Sequence, residues 1–208
     1  MPSYLKHPSL FIIAVLLLVA SCSRPLPPQE SCNFVQNPEQ QRVSWKAGLP
    51  VKMFVHSSVP VEAYAAIDRA VEEYNQTLGG GREIIRIVAK GVDGDLSPKK
   101  DGRSMIYWFN SWDPDKPTEQ ARTTIYWSGI HIFEADIRIN AHNFKLYLGE
   151  AHSFANLDLT SLLVHELGHV LGLAHNSTSG SVMNFSLNDG QDRRKLSTTD
   201  LNSLRCEY

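Results

Sequence analysis

A chain of 208 residues, 42% hydrophobic and 20% charged, has room for one ordinary domain with a sizeable core and short extensions. Its net charge of −2 offers no basic footprint, which excludes a nucleic-acid partner on electrostatic grounds. The composition is that of a soluble globular protein everywhere except at the start.

At the N-terminus, Lys6 and His7 precede an apolar run from Leu10 to Ala20. The run is short of the roughly 20 residues that cross a bilayer, but suits an export signal over residues 1–21. It ends in Val19-Ala20-Ser21-Cys22, small residues before a cysteine, which resembles a bacterial lipobox with Cys22 as the lipidated first residue of the mature protein. Ser23 in the next position is consistent with outer-membrane sorting. The expectation is an exported envelope lipoprotein held to the membrane by its lipid; the alternative is plain secretion with Cys22 incidental. Residues 23–44, with Pro25-Leu26-Pro27-Pro28 and many Gln, Asn and Ser, read as a flexible tether following Cys22, and 45–208 as the domain.

Leu49–Val55 has the composition of a first strand. Val61 to Leu78 carries apolar residues at Ala63, Ala66, Ile67, Ala70, Val71 and Tyr74, a helical spacing, and Gly79-Gly80-Gly81 stops it. Ile84–Val88 and Met105–Phe109 are the second and third strands, separated by a Gly/Asp/Pro loop. Asp93, Asp95 and Asp101 in that loop could hold Ca²⁺ through oxygen ligands, although a solvated polar loop is the better reading. Thr123–Trp127 and Phe133–Ile139 supply two more strands, and Leu159–Leu173 a second helix. The Trp and Tyr residues of 107–127 suit either a substrate cleft or half-buried strand positions. His56, His131, His142 and His152 lack paired ligand spacing and are read as surface or hydrogen-bonding residues.

The second helix ends in His165-Glu166-Leu167-Gly168-His169-Val170-Leu171-Gly172-Leu173-Ala174-His175, the pattern H-E-x-x-H-x-x-G-x-x-H. Residues four apart share a helix face, so His165 and His169 aim at one point. Gly172 allows the chain to leave the helix sharply and bring His175 round as a third ligand. Three protein ligands leave a fourth position for water, the layout of one catalytic Zn²⁺. Glu166 then stands beside that water as general base. By chance such a pattern would recur in roughly a few of every hundred thousand shuffled chains of this composition.

The full pattern resembles the metzincin zinc peptidases. Ser181-Val182-Met183-Asn184, with Met183 eight residues after His175, is similar to their Met-containing turn. Leu196–Leu204 resembles the C-terminal helix of the matrixin branch, and Ala135–Ile139 one of its strands. Asn176 departs from the serine typical of matrixins, and no cysteine-switch sequence is present. The resemblance implies an α/β (α+β) fold, with a five-stranded mixed sheet, an active-site helix, a Met-turn and a C-terminal helix. It implies a zinc-dependent endopeptidase acting on protein or peptide substrates, which lie extended along the edge strand near 121–128. The loop after Met183, with Asn184, Phe185 and Ser186, would shape the pocket beyond the scissile bond. In such a fold the start of the domain lies near the last helix. Cys32 and Cys206, an even pair in an oxidising compartment, would therefore be bridged; a latency thiolate at Cys32 is the competing reading. A monomer is expected. The rival functions are a lipid-anchored zinc-fold binding protein without turnover, against which the presence of Glu166 argues, and a cell-wall peptide hydrolase.

Overall fold

The computed structural model describes residues 27–46, 48–151, 155–185 and 187–208. Residues 1–21, read above as an export signal, together with Cys22, His152 and Ser186, lie outside the described residues.

Five strands form one twisted sheet in the order β2-β1-β3-β5-β4. They are β1 (Val51–His56), β2 (Ile85–Val92), β3 (Ser104–Phe109), β4 (Ala121–Ser128) and β5 (His131–Asn140). Four run parallel, while β4 returns antiparallel to β5 and forms an edge. The sheet is therefore mixed, as expected from the sequence. Between β1 and β2 a 3-10 turn at Val61–Ala63 leads into α1 (Tyr64–Thr77). Two short strands, β6 (Leu146–Tyr147) and β7 (Leu157–Asp158), precede α2 (Leu159–Val170), and α3 (Thr198–Leu204) closes the chain.

Strand alternation selects the face that meets the helices. Val51, Met53 and Val55 of β1, Ile106 of β3, and Ile137 and Ile139 of β5 are buried in one cluster with Ile67, Ala70 and Tyr74 of α1 and Leu163 and Leu167 of α2. Tyr74 shows how the helices are locked together. Its hydroxyl donates to the carbonyl of Val164 at 2.7 Å, spending its one polar group inside the core.

Helix α2 is anchored at its start by Asp158, whose carboxylate accepts from the Ser161 amide at 2.7 Å and pairs with Arg194. It ends three residues earlier than the apolar pattern suggests. Gly172 takes φ +99, the Leu173 amide donates to the Gly168 carbonyl and the Gly172 amide to that of His169, both at 2.9 Å. That is a left-handed glycine cap that turns the chain back on itself.

The greatest departure from expectation is at the N-terminal side. Residues 27–44, expected to belong to a tether, are instead packed into the fold as a strap that runs on through Trp45. Phe34, Val43 and Trp45 are buried in the main core, and the Trp45 indole donates to the Val170 carbonyl at 2.7 Å. Arg42, Ser44 and Lys46 all meet the Glu207 carboxylate, and Cys32 is joined to Cys206 with a Cα–Cα distance of 6.4 Å. Thus the strap is tied to the residues that follow α3.

Candidate metal centre

His165 and His169 stand one turn apart on α2, with their Nε2 atoms 3.1 Å from each other. After the Gly172 turn, the chain is caught by the strap. The Val35 amide donates to the Gly172 carbonyl at 2.8 Å, the Ala174 amide to Asn33 O at 2.7 Å, and Asn33 Nδ2 to Ala174 O at 2.8 Å. A side chain at position 172 would strike this strap, because a Cβ there would lie 2.5 Å from the Val43 carbonyl oxygen. Held in this way, His175 brings its Nε2 to 3.1 Å from that of His165 and 3.0 Å from that of His169.

The protonation of two of these rings follows from their partners. Nδ1 of His165 faces the Val182 carbonyl and Nδ1 of His169 the Leu173 carbonyl, each at 2.7 Å. A carbonyl oxygen only accepts, so Nδ1 carries the proton and Nε2 presents a lone pair. Burial pushes the pKa of both rings down to about 4, and shifts His175 in the same direction. The lone pairs of His165 and His169 therefore converge with the His175 Nε2 on one point, where a cation would be held. Zn–N bonds of about 2.0–2.1 Å, with the outer ring nitrogens held by carbonyls, fit this donor set. Among the described residues this is the one grouping of three or more His, Cys, Asp or Glu side chains with such spacing.

Glu166, the next residue after the first histidine, is buried beside them. Its Oε2 accepts from the Thr123 hydroxyl of β4 at 2.6 Å. Burial raises its pKa, opposed by the neighbouring His169 ring and by the Thr123 hydrogen bond.

Met183 lies fully buried beneath the histidines, and only glycine at 168 leaves it room. A Cβ on Gly168 would come 2.3 Å from the Met183 sulfur. Two residues hold this turn. Asp200 of α3 accepts from the Ser181 hydroxyl and from the Val182 amide at 3.0 Å, while also closing the capping box with Ser197. Asn176 donates its amide to the Met183 carbonyl at 3.0 Å and its Nδ2 to Ser181 Oγ at 2.9 Å. The asparagine that departs from the usual serine is thus the link between the third histidine and the turn.

The histidines and Glu166 open into a cleft of about 680 Å³, bounded by Thr118–Thr123 on one side and by Leu187, Asn188 and Arg193 on the other. Phe185 stands exposed at its rim and Val35 of the strap closes one end. None of the Trp and Tyr residues of 107–127 lines it.

The remaining histidines are scattered. The His56 ring nitrogens meet the Ser58 amide and Gly94 O, His142 meets Asn110 O, and His131 is exposed. In the loop, Asp95 pairs with Lys99 and the Asp101 carboxylate accepts from the Arg103 amide. Sequence reasoning did not find Thr123, Asn33 or Asp200. Only Asp200 carried a local signal, the Ser197-x-x-Asp200 capping pattern.

A three-histidine centre on a helix and its following turn, floored by a methionine, defines the metzincin class of metallopeptidase folds. Within it, a family profile described as Matrixin matches residues 96–208, more than half of the sequence. The chain belongs to the matrixin family. It is also similar to Metalloendoproteinase 2-MMP of Arabidopsis thaliana, 36% identical over 64 residues, a match covering 29% of this chain and 17% of that protein. Matrixin membership implies a catalytic zinc, and the three histidines could hold one.

Proposed function

We propose that this protein is a zinc-dependent endopeptidase in which His165, His169 and His175 hold the metal and Glu166 is the general base. The observation that carries this reading is the triangle of Nε2 atoms, 3.0–3.1 Å on a side, opening with Glu166 into a cleft walled by a free sheet edge. A zinc ion there supplies Lewis acidity, which polarises a carbonyl and acidifies a water.

The chain's own residues do the rest. Edge strand β4 presents unpaired backbone groups along the cleft, so an extended peptide binds by adding a strand. Glu166 takes the proton from the attacking water and returns it to the leaving amine. The Thr123 hydroxyl steers its carboxylate. The segment after Met183, with Asn184, Phe185 and Leu187, shapes the pocket that receives one substrate side chain.

Chelation should abolish cleavage of an unstructured protein substrate, and stoichiometric Zn²⁺ should restore it. Cleavage that persists after verified metal removal would contradict the proposal. The Val19-Ala20-Ser21-Cys22 sequence supports a reading in which the protein is exported and anchored to the cell envelope by a lipid at Cys22. Metabolic labelling with a clickable fatty acid should mark the protein and fail on Cys22→Ala; an unlabelled parent protein would favour plain secretion.

A further inference from the structure

On the other face of the sheet, behind β4, lies a second and smaller pocket of about 230 Å³, lined by Phe109, Ser111, Trp112, Asp113, Arg122 and Arg138. Its polar groups are unusually arranged. Arg122 of β4 and Arg138 of β5 stand directly opposite in the antiparallel pair, where like charges are destabilising. Arg122 is neutralised by Glu119, which accepts from both its Nε and NH2. No such partner serves Arg138 among the described residues. Its one hydrogen bond is a long 3.5 Å contact to Thr124 Oγ1, and its buried Nε has no acceptor. Asp136, two residues away on the same strand, accepts from the Met105 amide through Oδ1 and leaves its buried Oδ2 without a donor, Arg138 included. The indole Nε1 of Trp112 is likewise buried and unsatisfied. Asp113, the pocket's own carboxylate, accepts from the Asp115 amide and lowers the net positive charge without reaching either donor. Two buried N–H groups without acceptors each cost free energy until something fills them.

The pocket's position says what that is. Arg122 is a wall shared with the metal-centre cleft, and its neighbour Thr123 holds Glu166. Successive side chains of a strand point to opposite faces. A peptide added to the edge of β4 therefore sends alternate side chains into the cleft and over the outer face towards Arg138 and Trp112. We infer that this pocket is an accessory subsite for an acidic side chain, Asp or Glu, of the bound peptide. This rests on the peptidase reading above for the edge-on substrate, although binding can be tested without turnover.

The test pairs peptides that differ only in Glu against Gln, with the substituted position moved along the sequence on both sides of the cleavage site. The zinc-loaded protein should prefer Glu by about fivefold in kcat/KM at one position, as a charge-assisted hydrogen bond at a part-exposed site predicts. That ratio should collapse to about one in Arg138→Gln and fall in Trp112→Phe, which removes the indole N–H together with the five-membered ring that carries it. In ¹H–¹⁵N spectra the Trp112 indole resonance should shift with the Glu peptide more than with the Gln peptide, whether or not the peptide is cut. Absence of a Glu preference at every position, or a preference that survives Arg138→Gln in a folded variant, would overturn the subsite. Failure of cleavage together with a Glu-selective Trp112 shift would sink the peptidase reading and leave the subsite standing.

Discussion

Two segments meet at Leu173 and Ala174, and they reached the same site by different physics. The segment from His165 to Met183 is governed by short-range rules: a helical repeat, a glycine cap, a turn closed within a few residues. The strap of residues 27–46 has no regular element, and its bonds join residues far apart in sequence. Asn33 reaches Ala174 across 141 positions, Arg42 reaches Glu207 across 165, and Cys32 reaches Cys206 across 174. The first segment supplies the three histidines, and the second holds the third of them in place. Chemistry here is local, while positioning is not.

That contrast explains what could be read from the sequence. The spacing of His165, Glu166, His169, Gly172 and His175 encodes a geometry, because helix periodicity and glycine's left-handed freedom convert sequence distance directly into direction. The five strands and two longer helices follow from alternation and helical spacing in the same way, with ends shifted by at most four residues. The strap misled because Pro, Gln, Asn and Ser suggest an unfolded chain, and its buried residues Phe34, Val43 and Trp45 are single apolar positions without a period. Thr123 and Asn33 escaped notice for the same reason: each acts through a partner that only the fold brings near.

Removing a ligand should have the largest effect. His175→Ala should lose most bound zinc and fall to background activity, because two imidazoles hold this ion poorly. Metal content and turnover, measured together, check it; full zinc occupancy in the variant would show that the Gly172 turn does not deliver a ligand.

Next comes the disulfide, which tests whether the strap is part of the domain. A bridge closing so long a loop is worth about 5 kcal/mol at most by chain entropy. Cys206→Ser should lower the melting temperature clearly and weaken zinc binding as the strap loosens. Unchanged stability in Cys206→Ser together with raised activity in Cys32→Ser would instead indicate a latency thiolate at Cys32, and peptide mapping of the parent protein under non-reducing conditions would then find that thiol free.

The smallest effect, and the sharpest on the comparison, is that of Asn33→Ala. The backbone bonds of the strap remain, so the melting temperature should change little, by the loss of about 1 kcal/mol for one hydrogen bond. Zinc affinity should nevertheless drop by about tenfold, the range seen when groups behind metal ligands are removed. Competition titration against a chromogenic chelator measures it. Equal affinities would mean that the strap stabilises the fold without positioning His175.

If the histidines hold zinc while Glu166 moves the proton, one substitution separates the two roles. The direct test is Glu166→Gln, scored for zinc content and peptide hydrolysis in the same preparation. The variant keeps the three imidazoles and a side chain able to meet Thr123, but has no base. Zinc should stay near one ion per chain and kcat should fall by about 10²–10⁴-fold. Near-normal turnover with zinc bound would contradict the account.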